Sequence, residues 1–371
     1  RIVRHLVSGV LGTNAPPPLA KGSLQQSLVW DGKDDAGVYV DDKDSMTVRV
    51  SLGLKPQFER TLFWSPHKRF ANVAPILASA PEGVYVCEGQ GIDSIKLFDH
   101  DGTYLRTIYP FPADKVDKVL NLQRHTFPQD NQPLPLKLGF NQATLLSSGS
   151  SGAPPDTESH YGGYPATAMA VQGNRIALAY HSLNRLATDG SSGGLPIKGP
   201  KTSFEVGKKI VGPTSIALSP DGKMLYLTGY IWKTDYWAQC GDCYHAVLRM
   251  PFDGDKEPEV FLGQLKADDG YGTDNARFCV PSSVACDAQG RVYVSDFSNN
   301  RIQVFSPDGK HLKSIATPYP AKVQIHHRPQ QIIAFSWGII GPSNKVQRDR
   351  NFDVTKIPPT MARLGTFDSP A

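Results

Sequence analysis

A chain of 371 residues, 40% of them hydrophobic, can bury one sizeable core and a small appendage. Its net charge of +4 comes from Lys and Arg scattered among acids, with no arginine–aromatic stripe, which argues against nucleic-acid binding. No apolar run is long enough to cross a bilayer and no leader peptide is visible, so export would need an upstream signal since removed.

The first 65 residues show three strand-like runs, RIVRHLVSG, LQQSLVWDGKDDAGVYV and SMTVRVSLGL, without regular spacing. Between Trp30 and Gly37, Asp and Gly alternate where a tight reversal needs positive φ and side-chain-to-backbone bonds. This WDG-x-D-x-x-G turn resembles the end of an Ig-like domain of the flagellar hook-capping (FlgD-like) type. It departs from that family where Asp44-Ser45-Met46 replaces the usual Gly-x-Tyr. The expectation is a partial Ig-like segment over 1–65, too short for a whole sandwich, in a chain that begins inside a longer polypeptide.

From residue 70 to 371 the pattern changes. Apolar runs of strand type are centred on Tyr85, Ala177, Tyr226, Tyr293 and Ile333, at intervals of 92, 49, 67 and 40 residues. The first interval reads as two units, which places one degenerate unit within 111–165, and the interval of 67 reads as one unit plus an insertion. Four short strands recurring every ~40–50 residues mark a β-propeller, whose blades cover one another's apolar faces. About six four-stranded blades are expected, in an all-β chain.

Three insertions interrupt the blades. Residues 147–163 and 188–200 are Ser/Gly/Pro-rich and read as long surface loops. The third, GYIWKTDYWAQCGDCYHA at 229–246, is aromatic. Trp232, Tyr236, Trp237, Tyr244 and His245 would suit a contact surface for a glycan or protein partner, or else roof the core. Cys240-Gly-Asp-Cys243 lacks the helix of a redox pair, and Tyr244 breaks a Cys-x-x-Cys-His haem motif. Zinc on Cys240, Cys243 and His245 would want a fourth ligand. A short Cys240–Cys243 disulfide fits an exported protein, with Cys279 and Cys286 as a second candidate pair or as small buried thiols, and Cys87 in the core. Among the ten histidines, His160, His181 and His245 lie in or beside insertions, whereas His326 and His327 point to opposite faces of one strand.

The unit at 281–315 is the most regular. Its Pro281, Ala285, Asp287, Gly290-Arg291, Tyr293-Val294, Asp296, Asn300-Arg301-Ile302, Val304-Phe305, Asp308-Gly309 and Leu312 resemble the NHL repeat family. A weaker copy holds Ile95, Phe98, Asp101-Gly102 and Leu105, and a third, GPTSIALSPDGKMLYLTG, keeps one strand pair. Combinations of Ig-like and NHL-like units occur in large exported proteins of planctomycete-type bacteria. The resemblance implies a periplasmic or extracellular binding scaffold that presents its loops to a protein or glycan.

Two further readings stay open. Propellers of the gluconolactonase type hold a divalent cation with oxygen ligands from several blades. Glu88, Asn184 and Asp296 are the matching strand-end positions, and calcium there would polarise a lactone carbonyl. Asp296 also belongs to the ordinary NHL signature, where its carboxylate would cap turn amides. The remaining reading is a propeller subunit of a periplasmic redox complex with cofactors carried elsewhere. No Gly-x-Ser-x-Gly, His-Glu-x-x-His or phosphate-binding glycine loop is present.

Overall fold

The computed structural model describes residues 3–9, 11–35, 37–42, 44–50, 75–88, 94–120, 124–135, 166–179, 181–206, 209–231, 243–266, 269–326, 330–337 and 360–368. The first blade is β1 (Ile76–Ala80), β2 (Gly83–Glu88), β3 (Ser94–Phe98) and β4 (Tyr104–Tyr109). A small hairpin, β5 (Arg124–Thr126) and β6 (Pro133–Pro135), follows it. Blade two is β7 (Ala168–Gln172), β8 (Arg175–Ala179), β9 (Ser182–Ala187) and β10 (Lys198–Lys201). A second hairpin, β11 (Phe204–Val206) and β12 (Lys209–Val211), leads to blade three. That blade is β13 (Ser215–Leu218), β14 (Met224–Thr228), β15 (His245–Pro251) and β16 (Glu259–Gln264). Blade four is β17 (Pro281–Cys286), β18 (Val292–Asp296), β19 (Arg301–Phe305) and β20 (His311–Ala316). Blade five shows three strands, β21 (Pro320–Ile325), β22 (Ile332–Ser336) and β23 (Thr360–Arg363).

Every pairing inside a blade is antiparallel and every blade is a meander. The five periodic runs read from sequence are all second strands. Four of them are buried almost without interruption, because each blade buries both faces. Tyr85, Ile95 and Leu97 pack on Met169, Ile176 and Leu178 of the next blade. Ala177 and Leu183 meet Leu225 and Leu248. Tyr226 and Val247 meet Val292 and Val294. Tyr293 and Val304 meet Val323 and Ile332. Burial of such side chains stabilises by ~1.5–3 kcal/mol each before entropy is counted.

The structure holds five blades among the described residues, not six. The innermost strands succeed one another as β1, β7, β13, β17 and β21, and β1 packs directly on β7. No blade fits between them, so the interval of 92 is one blade plus a long excursion. The described part of that excursion lies on blade two. Leu120 bridges Pro196, the Leu120 amide donates to Ser192 Oγ at 3.1 Å, and Lys115 pairs with Asp189 at 3.3 Å. The 188–200 segment is accordingly no free surface loop: Ser191 and Ser192 are buried and its end forms β10. The 147–163 segment lies outside the described residues.

The Ig-like expectation finds no sandwich. Among the described residues 3–50 carry no strand, and one bridge, Lys33 to Tyr39, closes the predicted turn. The turn chemistry itself is present: Asp34 Oδ1 accepts from the Val38 amide at 2.9 Å and Trp30 Nε1 donates to the Lys33 carbonyl at 2.7 Å. Leu24, Val29, Val48 and Val50 are exposed among the described residues, and 51–65 of the expected segment lie outside them.

A glycine sets one register. Gly263 sits at φ +74 beside the irregularity in the β15–β16 ladder, and a Cβ there would run into the His245 carbonyl and the Phe278 ring. Gly263→Ala should lower stability by ~2 kcal/mol, the scale of a left-handed residue with a side chain, read as a lower midpoint in urea.

Candidate functional site

Two ends of the propeller differ in chemistry. At one end lie the β1–β2-type and β3–β4-type turns, where an aspartate repeatedly caps its own reversal. Asp99 accepts from Asp101 and Thr103, Asp221 from Ser219 and Lys223, and Asp287 from Gln289 and Arg291. The other end carries the aromatic insertion and all three proposed metal ligands.

The insertion leaves blade three through a short ladder. Ile231 bridges Cys243, and the Tyr244 amide donates to the Tyr230 carbonyl at 3.0 Å. Trp232, Tyr236, Trp237 and Cys240 lie outside the described residues. Tyr244 is half-buried, and together with Phe204 and Tyr230 it forms a ring cluster with centroids 5.1 and 5.9 Å apart. Tyr230 is sealed in, its hydroxyl donating to the Thr202 carbonyl at 3.0 Å, and burial pushes its pKa up. This part of the aromatic patch therefore roofs blades two and three.

His245 is fully buried instead of standing on a contact surface. Its Nδ1 accepts from the Val280 amide at 3.4 Å, which puts the proton of the neutral ring on Nε2, and Tyr271 meets it edge-on at 5.7 Å. Val280 has φ +61, an unfavourable setting for a β-branched residue, and is held there by bonds on both sides. Its carbonyl accepts from Phe297, the preceding Cys279 carbonyl accepts from Ser298, and the Cys279 amide donates to Asp296.

The expected cysteine bridges are not made. Cys243 keeps its thiol, packed with Cys279, Val280, Phe297 and Ala321, so it is not stapled to Cys240. Cys286 keeps its thiol too, which rules out a Cys279–Cys286 bond. Burial, with the nearby Asp287 carboxylate, pushes the Cys286 pKa up and makes it a poor nucleophile. Cys87 sits in the core between blades one and two.

The three metal candidates fall in three different blades. Glu88 ends β2 and is buried with Lys96 as its charged neighbour. Asn184 lies in the third strand of its blade, its amide 3.5 Å from the Ser182 carbonyl. Asp296 ends β18 and is fully buried. Its Oδ1 accepts from the Cys279 amide at 2.7 Å, and its Oδ2 from Arg301 Nε at 2.7 Å, Asn299 at 2.9 Å and Gln303 at 3.2 Å. Burial drives this carboxyl upward, and the donors from Asn299, Cys279 and Arg301 oppose it. Three of the four donors crowd onto Oδ2 while Oδ1 takes the Cys279 amide alone, so most of this carboxylate's accepting capacity is committed to the surrounding turns. That commitment makes Asp296 a poor candidate for a calcium ligand. Among the described residues, no three His, Cys, Asp or Glu side chains gather closely enough to hold a metal ion.

Sequence reasoning missed the hydroxyls near the axis. Thr167 donates to the Pro213 carbonyl at 2.6 Å, Thr228 to Pro281 at 3.0 Å, and Ser282 to Pro320 at 3.1 Å. Each bond ties one blade to the next, and each acceptor is the proline that opens the following inner strand. A second layer joins Ser215 to Ser283, while the Val284 amide donates to Ser215 and the Val323 amide to Ser283. The signal was available: Pro75, Pro213, Pro281 and Pro320 each stand at or just before an inner strand.

The region from the end of β8 to just past β21 carries a family likeness. Residues 179–326 match the SMP-30/Gluconolactonase/LRE-like region. The match covers well under half of the chain. No curated protein matches the chain. Several solved structures are similar to it. A luciferin-regenerating enzyme is 11% identical, with 78% of each chain covered and a TM-score of 0.37. A gluconolactonase from Xanthomonas campestris is 17% identical over 69% of this chain and 66% of its own, with a TM-score of 0.33. A calcium-binding protein, regucalcin, from Agrobacterium tumefaciens is 14% identical over 52% of this chain and 72% of its own, with a TM-score of 0.27.

Proposed function

We propose that this protein is an exported, non-catalytic binding propeller whose insertion end is offered to a protein or glycan partner. The observation that supports it is the engagement of Asp296 by Cys279, Asn299, Arg301 and Gln303. The group best placed to hold a cation is spent on fixing the 279–280 and 297–301 turns. The neighbouring hydroxyls are spent in the same way on joining blades. A catalytic centre needs polar groups aimed at a substrate, whereas the Asp296 carboxylate and the Thr167, Thr228 and Ser282 hydroxyls are engaged within the fold.

The alternative is a calcium-dependent lactonase, favoured by the family likeness of 179–326. One assay separates the two. Lactone hydrolysis is measured at saturating calcium and after chelation, for the protein and for Glu88→Gln. The binding reading expects no calcium-dependent turnover, and hydrolysis lost on chelation and in the variant would replace it with the lactonase reading.

A further inference from the structure

At the opposite end of blades three and four, away from the insertion, a cleft of about 680 Å³ opens between the Pro220-Asp221 turn, β14, β15 and the Gln289 and Pro307 turns. That volume suits a small organic molecule. Its walls include Met224, Pro220 and Pro307, and methionine adapts readily to the shape of an apolar guest.

The polar groups of the cleft sit together. Tyr226 and Arg249 face each other directly in the β14–β15 ladder, so their side chains stand on one face, roughly 5 Å apart at Cβ. Tyr226 is only 4% exposed, yet among the described residues its hydroxyl has no hydrogen-bond partner while lining the cleft. The hydroxyl is not sealed off from solvent, so a guest in the cleft can accept from it. Burial pushes its pKa up to about 12, so it remains a donor at neutral pH. Arg249 gives its Nε to Glu259 at 2.8 Å and lies over the Phe261 ring at 4.8 Å. Phe261 is itself 5.3 Å from the Tyr226 ring. Among the described residues, the two terminal guanidinium nitrogens make no hydrogen bond, leaving the fork that suits a carboxylate.

We propose that this cleft binds a small organic monocarboxylate with an apolar body, its carboxylate held by Arg249 and Tyr226 and its body against the methionine and proline walls. Asp221, Glu257 and Glu259 also line the cleft and disfavour a multiply charged ligand such as a phosphate ester. The inference goes beyond the binding role of the insertion end and does not depend on it, since the two sites lie at opposite ends of the same strands.

The test is calorimetric titration of the full chain with 4-phenylbutyrate, 4-phenylbutyramide and phenyl phosphate. The acid is expected to bind at least tenfold more tightly than the amide or the phosphate. Tyr226→Phe, which removes one oxygen and keeps the ring packing, should weaken the acid about ten- to hundredfold, the range of one hydrogen bond to a charged group. Arg249→Gln should abolish the preference of acid over amide. The melting temperature of each variant is recorded to show that it is folded. Equal affinity for acid and amide, a preference for the phosphate, no binding of the acid at 10 mM (an arbitrary ceiling of about −3 kcal/mol), or a Tyr226→Phe protein that binds as well as the parent would overturn the proposal.

Discussion

Asp296→Ala is expected to lower the stability of the protein by roughly 3–5 kcal/mol, the scale for breaking a buried ion pair by removing one partner. The substitution leaves the Arg301 guanidinium buried against a cavity, and it strips the Cys279 amide, Asn299 and Gln303 of their acceptor. The Val280 backbone, held at φ +61 partly through the Cys279 bond, loses a restraint at the same time. Chemical denaturation should show a lower midpoint at an unchanged slope. Asp296→Asn should be milder, because an amide oxygen still accepts two of the bonds, though its NH₂ would oppose a donor. Addition of calcium should stabilise neither the parent nor the variants. A calcium-dependent rise in melting temperature that disappears in Asp296→Ala would show that the carboxylate is a ligand after all.

The second large effect is expected at Arg185. This arginine is 1% exposed, yet its hydrogen bonds go to carbonyl oxygens. Nε donates to Pro196 at 3.1 Å, and Nη1 to Phe252 at 3.2 Å and Gly254 at 3.0 Å. Nη2 reaches the Lys198 carbonyl at 3.4 Å, and its carboxylate neighbour, Asp255 at 3.6 Å, is almost wholly exposed. One side chain thus clamps the outer strand of blade two to the β15–β16 turn of blade three. Arg185→Ala should cost about 3–5 kcal/mol, since several carbonyls lose their donor and a large side-chain volume empties. Arg185→Lys should recover little, because a point charge cannot satisfy acceptors spread around a planar fork. Asp255→Ala should cost under ~1 kcal/mol, as for other exposed partners. A loss in Asp255→Ala equal to that in Arg185→Ala would mean that the ion pair, and not the carbonyl clamp, holds the two blades.

How far the chain reveals itself depends on the range of the interaction. The second strands around Tyr85, Ala177, Tyr226, Tyr293 and Ile333 were legible because short apolar runs bounded by turn residues are local signals. The sixth blade was an error of a non-local kind. An interval of 92 residues looks the same whether it holds a second blade or an excursion, and the contact of β1 with β7 that decides between them is not written in spacing. At the amino terminus the Trp30–Gly37 turn formed as its residues dictate, while the partial Ig-like segment that a family likeness implied around it is not seen among the described residues. Both meanings of Asp296 could be read beforehand. The structure adds the side chains of Asn299, Arg301 and Gln303 as partners of its carboxylate, and Arg301 and Gln303 were visible only as ordinary members of a strand. Burial of His245 and the hydroxyl bonds near the axis arise from blades meeting side by side, which a single sequence does not record.

Those hydroxyl bonds end on prolines, and that has a bearing on self-association. Each innermost strand is an edge of its sheet, and an edge with a full set of N–H groups invites a foreign strand to add to it. Pro213, Pro281 and Pro320 lack that donor, and their carbonyls are already taken by Thr167, Thr228 and Ser282. The rim of the central channel is thereby left with little to offer an incoming β-strand, which protects a ring of small sheets from polymerising through its own hole.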